Sequence, residues 1–369
     1  MPVVFQRTVL GCCMARHLSL LTLVPILCFS LLFPSISGAQ PRTARMVGGQ
    51  FVDNLASGPV ALLLLGGTRC SGVLVGSREV LTAAHCVVGN ITADELAVVV
   101  GGGVYEVESR YYNGDYDPQG DVELNGPYDL GMVILRQPVQ GVSPVPVLFN
   151  DPVGRGEATA IFGFGTNERS GEAGRRPWED GKSAVAVVSN VGNGLLSADD
   201  RSAEATICGG DSGGPMVQTI RGFFATVGIA TLGENKIVDG YCTKQGNGWF
   251  AYVDLQSPTS QRFLLAFPGV TFISGYRIYV HQVANTTSRN LQRAVNTRSR
   301  SVFSRLVKSS LKSVRQALPY ADGNRKTLLR GAAALLNTAQ QSTSFERAKT
   351  GVKQALSRVK QVKALGVCR

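Results

Sequence analysis

Cys208-Gly-Gly-Asp-Ser-Gly-Gly-Pro215 sets one hydroxyl among four glycines, beside a carboxylate and between a cysteine and a proline. A serine hydroxyl is a weak nucleophile until a neighbouring base takes its proton. Glycine supplies the backbone dihedrals that let successive N–H groups point at one oxygen, and such donors stabilise the charge of a tetrahedral intermediate. A Gly-Gly pair alone would be no more than a turn. The eight-residue string around Ser212 is far more specific.

The base that such a serine needs is an imidazole, and the chain has three histidines. His17 lies near the N-terminus and His281 in the C-terminal region. That leaves His85, within Leu81-Thr-Ala-Ala-His-Cys86. Between these two blocks stands Tyr128-Asp-Leu-Gly-Met-Val-Ile-Leu135, an acid leading directly into an apolar run. Asp115, Asp117, Asp121 and Glu123 precede it without such a run.

The three blocks, in the order His, Asp, Ser, resemble the signature blocks of the chymotrypsin/trypsin family of serine proteases. The resemblance spans about residues 46–268. It implies an all-β fold of two antiparallel six-stranded β-barrels with a site between them. It also implies a catalytic triad of His85, Asp129 and Ser212, with Gly210 and Ser212 supplying oxyanion-hole N–H groups. Arg45-Met-Val-Gly-Gly49 is similar to the family's activation site. Cleavage after Arg45 would free the Met46 amine to pair with Asp211. Cys70 with Cys86, and Cys208 with Cys242, look like two of the family's disulfides. Thr206 occupies the position at the base of the primary pocket, with Gly233 and Gly248 on its walls. A neutral, open slot of this kind suits large apolar or aromatic side chains. The resemblance implies protein or peptide substrates, an activating trypsin-like protease, and neither a metal nor a cofactor; the alternative function is that of a catalytically silent protease homologue acting as a binding protein. Met46 departs from the usual Ile or Val. Thr231 and Leu232 depart from the usual Ser and Trp, though Thr231 keeps a hydroxyl that can reach the catalytic acid.

Outward from these blocks, residues 46 to about 254 are a succession of short apolar runs divided by Gly-Gly, Asn-Gly and Asp-Gly pairs, the pattern of a β-barrel or sandwich. The N-terminus reads as a secretory signal over 1–39. Arg7 and Arg16 precede an apolar run, 18–33, and Ser37-Gly-Ala39 gives the small residues for cleavage. Met14 would start a more compact signal than Met1. An uncleaved signal anchor is the alternative, although the run is short for a span. Residues 40–45 then form a short propeptide. An exported chain permits disulfides, and five cysteines remain past residue 39, so Cys368 is left over. Asn90 and Asn285 head glycosylation sequons.

The net charge of +11 is unevenly spread. Residues 46–268 hold 14 Lys+Arg against 24 Asp+Glu, whereas 269–369 hold 19 against two. In that last segment apolar residues recur at helical spacing: Phe303, Val307, Leu311, Val314 and Leu318; then Leu328, Leu329, Ala332, Leu335 and Leu336; then Phe345 to Val362 in threes and fours. Residues 269–282 read as strand or loop. The extension is therefore expected to be basic and mainly α-helical. It is open to three readings: a module for anionic membranes or polyanions, a self-packed bundle, or a tail docked on the acidic body.

Overall fold

A computed structural model of the chain describes residues 50–52, 54–89, 95–165, 181–199, 206–234, 236–238, 241–243 and 248–367. The signal, the propeptide with Arg45, Met46, Asn90 and Cys368 lie outside them.

The chain opens with β1 (Gln50–Val52) and then builds one closed six-stranded barrel. Its strands are β2 (Val60–Leu65), β3 (Thr68–Leu74), β4 (Glu79–Thr82), β5 (Leu96–Val100), β6 (Gly103–Tyr112) and β7 (Gly131–Leu135), paired in the order β2-β3-β4-β7-β6-β5. Alternation drives this closure. Along β5, Leu96, Val98 and Val100 are buried while Ala97 and Val99 are only partly so. A period of two places one face of each strand inside the barrel. A short helix α1 (Val122–Asn125) and a 3-10 turn (Gly126–Tyr128) carry the chain from β6 to β7.

Among the described residues the second unit is a ten-stranded sheet. It is built from β1, β8 (Val147–Leu148), β9 (Ala158–Gly163), β10 (Gly181–Val187), β11 (Asn190–Gly192), β12 (Leu195–Asp199), β13 (Pro215–Ile220), β14 (Phe223–Gly233), β17 (Trp249–Asp254) and β18 (Phe272–Ile273). Its main path is β1-β10-β9-β13-β14-β17-β12-β11. Two parallel contacts, β8 with β14 and β8 with β18, interrupt an otherwise antiparallel pattern. A separate hairpin pairs β15 (Lys236–Val238) with β16 (Tyr241–Thr243).

Helix α2 (Pro258–Leu265) follows β17. It is capped by Ser257, whose side chain accepts from the Ser260 N–H, with Pro258 at its first position. Past β18 the chain becomes four helices: α3 (Gly275–Asn296), α4 (Arg300–Ala317), α5 (Gly323–Gln341) and α6 (Phe345–Ala364). Ser299 and Ser344 cap α4 and α6. The expected stripes lie on α4, α5 and α6. Segment 269–282, open between strand and loop in the sequence, splits into β18 and the start of α3.

The bundle has its own core, in which Val280, Leu291, Val307, Val314, Leu329, Leu336, Val352 and Val359 meet. It is also tied to the β body. Ile273, Ile278 and Val367 bury in the core of the second sheet beside Leu148, Met216 and Val227. Arg325, nearly buried, donates to the carbonyls of Leu365 and Gly366 at 3.1 Å each and to Asp322 at 3.0 Å. A cation there meets the acceptor-rich end of α6. No helix among the described residues is long and apolar enough to cross a membrane.

Candidate active site

The barrel and the sheet each present part of the site on a loop. His85 sits in the 3-10 turn Ala84–Cys86 that follows β4, and a disulfide between Cys70 on β3 and Cys86 clamps that turn. Asp129 stands at the end of the turn Gly126–Tyr128, just before β7. β4 and β7 are ladder neighbours, with Thr82 opposite Gly131, so the two loops emerge side by side. The close packing of this corner depends on Gly131, where a Cβ would lie 2.6 Å from the Ala83 carbonyl oxygen.

Asp129 is 3% exposed and both its carboxylate oxygens are engaged. Oδ1 accepts from the His85 backbone N–H at 2.9 Å, and Oδ2 lies 2.7 Å from His85 Nδ1. A carboxylate only accepts, so Nδ1 carries the proton and Nε2 keeps its lone pair. Thr231 donates from Oγ1 to the same Oδ2 at 2.6 Å. Thr231 falls where the β14–β17 register shifts between Ala230 and Leu232. A bulge adds an unpaired residue and re-aims its side chain. Burial draws the His85 pKa down, but the hydrogen bond to Asp129 and that carboxylate's charge outweigh it. The imidazole is left above its ordinary 6.5.

Ser212 lies on the loop before β13, and backbone bonds pin this loop to both halves of the molecule. The Ser71 N–H on β3 donates to the Ser212 carbonyl at 2.7 Å, and the Gly213 N–H donates to Ala230 at 2.8 Å. Ser71 Oγ donates to the Gly210 carbonyl at 2.8 Å and accepts from the Phe164 N–H at 2.9 Å. Gly213 has φ +81°, and a Cβ there would stand 2.1 Å from Thr82 Oγ1, so no other residue fits. Gly210 also takes a positive φ, +98°. Among the described residues neither the Gly210 nor the Ser212 N–H donates a backbone hydrogen bond, whereas the N–H groups of Asp211, Gly213 and Gly214 all do. Sequence reading did not single out Ser71. A small hydroxyl residue next to a cysteine in an apolar strand carries no distinctive signal.

The remaining expected residues are placed as follows. Asp211 is buried, accepting from the Gly165 N–H at 2.7 Å and the Cys208 N–H at 2.9 Å, and burial pushes its carboxyl up to about 6. Thr206 is fully buried. Gly233 closes β14 opposite Phe250, and Glu234 donates its N–H to the Trp249 carbonyl at 2.8 Å, which keeps Gly248 close by in the chain. Cys208 is disulfide-bonded, while the side chain of Cys242 lies outside the described residues. His281 falls in α3, in the basic bundle.

The trypsin family model matches residues 46–254. Over 192 residues the chain is 30% identical to vitamin K-dependent protein C of Mus musculus, covering 45% of this chain and 40% of that protein. A trypsin of Saccharopolyspora erythraea is 29% identical over 208 residues, covering 51% of this chain and 87% of that protein. Protein masquerade of Drosophila melanogaster is 27% identical over 233 residues, 52% of this chain and 21% of that protein. The chain thus spans less than half the length of the protein C it matches and most of the bacterial trypsin. The family match takes in both the barrel and the sheet that carry His85, Asp129 and Ser212, and the chain belongs to the trypsin family of serine proteases.

Proposed function

We propose that the chain is a catalytically competent serine endopeptidase, made as a precursor and exported. In this reading Ser212 Oγ attacks the substrate carbonyl while His85 Nε2 takes its proton. Asp129 holds the imidazole in the required tautomer and stabilises the imidazolium, the family's triad chemistry. The N–H groups of Gly210 and Ser212 receive the oxyanion. His85 then returns its proton to the leaving amine, and water resolves the acyl-enzyme. One observation carries this reading: the imidazole–carboxylate–hydroxyl chain of His85, Asp129 and Thr231, which engages Nδ1 and leaves Nε2 as the acceptor nitrogen, on a turn whose Cys86 Sγ lies 3.8 Å from the Ser212 carbonyl oxygen. Ser212→Ala and His85→Ala should each reduce kcat on peptides on the order of a million-fold with the fold intact. Retention of activity within about tenfold by His85→Ala contradicts the assignment.

The finer reading follows the family pattern. Residues 46–268 form the protease, with its second sheet closing as a second barrel, and 269–369 a basic extension. A trypsin-like protease cuts after Arg45, freeing the Met46 amine for Asp211. A pocket based on neutral Thr206 and flanked by Gly233 and Gly248 favours large apolar or aromatic residues. An Arg side chain there would be buried without a counter-charge, which costs several kcal/mol. A cleavage profile on a peptide library decides this. Dominant cleavage after Arg or Lys would overturn it. The extension supplies attraction to anionic membranes or polyanions, supported by the exposed stripe of Lys308, Lys312 and Arg315 on α4.

A further inference from the structure

Asp211 has a second charged neighbour besides any chain terminus. Its carboxylate lies on Gly163 of β9, where a Cβ would stand 2.2 Å from Asp211 Oδ1. Gly163 pairs directly with Lys182 across the antiparallel β9–β10 ladder. Residues directly opposite in such a ladder project to the same face with Cβ positions about 5 Å apart. Lys182 therefore leaves β10 on the face that Asp211 occupies. It is 1% exposed, as is Asp211, and its charge opposes the upward pull of burial on the Asp211 carboxyl. A buried ammonium is tolerated where an opposite charge faces it. Two other titratable groups bear on Asp211. Arg69 of β3 lays its stem on Gly210, with Cγ 3.2 Å from where a Cβ would be. The buried Tyr252 phenol of β17 is raised well above its ordinary value by burial and by the Asp211 charge.

We propose that Lys182 is an internal counter-cation for Asp211, holding the loop Cys208–Pro215 in its ordered form before the chain is cut after Arg45. The uncut chain then has basal activity of its own, and the freed Met46 amine adds a second cation where Lys182 already stands. Lys182 is a positioning residue, since it touches neither substrate nor reacting atoms. The inference rests on the proposed protease activity and deepens its regulation.

The test compares full-length chain carrying Arg45→Gln, which blocks cleavage, with chain processed after Arg45, each with Lys182 or Lys182→Met. Turnover of an apolar peptide substrate and titration with an active-site phosphonate are measured. The uncut Arg45→Gln chain is expected to turn over within about a hundredfold of the processed chain. Lys182→Met should lower kcat of the uncut form at least about a hundredfold and that of the processed form by less than about tenfold, with KM little changed. Lys182→Arg should restore part of the loss. In the processed Lys182→Met chain, where the Met46 amine is the remaining counter-cation, the alkaline limb should lie at lower pH than in the processed chain that keeps Lys182. If Lys182→Met fails to fold by circular dichroism, Lys182→Gln takes its place. An inert Arg45→Gln chain beside an active processed chain overturns the proposal, as does equal loss in cut and uncut forms. An inert processed wild-type chain overturns the protease reading itself.

Discussion

At the residue scale, Asp129 does more than one task, and its partners separate them. His85 Nδ1 and Thr231 Oγ1 both meet Oδ2, while the His85 N–H meets Oδ1. The raised imidazole predicts the acid limb of kcat/KM. His85 must be neutral to accept the Ser212 proton, so activity should rise with pH through a midpoint above 6.5 and fall away below it. In Asp129→Asn the two upward influences weaken and burial remains, so the midpoint should move down while kcat collapses. A wild-type limb below 6.5 contradicts this electrostatic account. Thr231→Val keeps the shape of the side chain and deletes its bond to Asp129. A hydrogen bond to a charged group is worth about 1.5–3 kcal/mol to the folded state, so the melting temperature should fall by several degrees, and kcat/KM should drop as Asp129 loses one of its anchors. The candidate triad was visible in the sequence because its residues sit in local strings. Lys182 was not, because only β-pairing puts it opposite Gly163, and no local pattern in Gly181–Val187 points to Asp211.

Among the elements, the Cys70–Cys86 bridge spans a 16-residue separation, from the barrel strand that holds Ser71 to the turn that holds His85. Closing a loop of that length is worth about 3 kcal/mol against the unfolded chain. Cys70→Ser with Cys86→Ser should lower the denaturant midpoint accordingly. It should also lower activity before global unfolding, because the His85 turn loses its clamp. Equal midpoints with and without the bridge would contradict this. Helices α4, α5 and α6 were legible as apolar stripes, with Phe303, Val307, Leu311 and Val314 all buried in α4. Helix α3 was not. Its buried face intersperses Ile278, Val280 and Leu291 with the small Gly275, Ala284, Thr287 and Ala294, which breaks up the apolar stripe, and Asn285-Thr-Thr287 is a poor helix former. Tertiary packing against α4 and α6 supplies what propensity lacks. In the second sheet, nothing local foretold the parallel contacts of β8, which join residues far apart in the chain.

For the whole molecule, an acidic protease segment is joined to a strongly basic bundle, and apolar side chains pack the joint. Phe272, Ile273, Ile278 and Val367 are at most 5% exposed in the cores of the barrel and sheet. Each buried side chain of this size contributes about 2 kcal/mol, and the four together approach the whole stability of an ordinary domain. A chain ending after Pro268 should therefore melt far lower than the full chain or aggregate, and an unchanged melting temperature would contradict this packing. The surplus of 19 basic residues over two acids in 269–369 predicts sedimentation with anionic vesicles that weakens steeply as salt rises. Equal binding to neutral vesicles would remove the electrostatic role. The central claim, that His85 and Asp129 activate Ser212 as a nucleophile, is tested most directly by titrating chain processed after Arg45 with an active-site phosphonate. The account predicts close to one label per chain, located on Ser212, with labelling slowed by several orders of magnitude in His85→Ala. Absence of labelling in correctly folded, processed protein would contradict it.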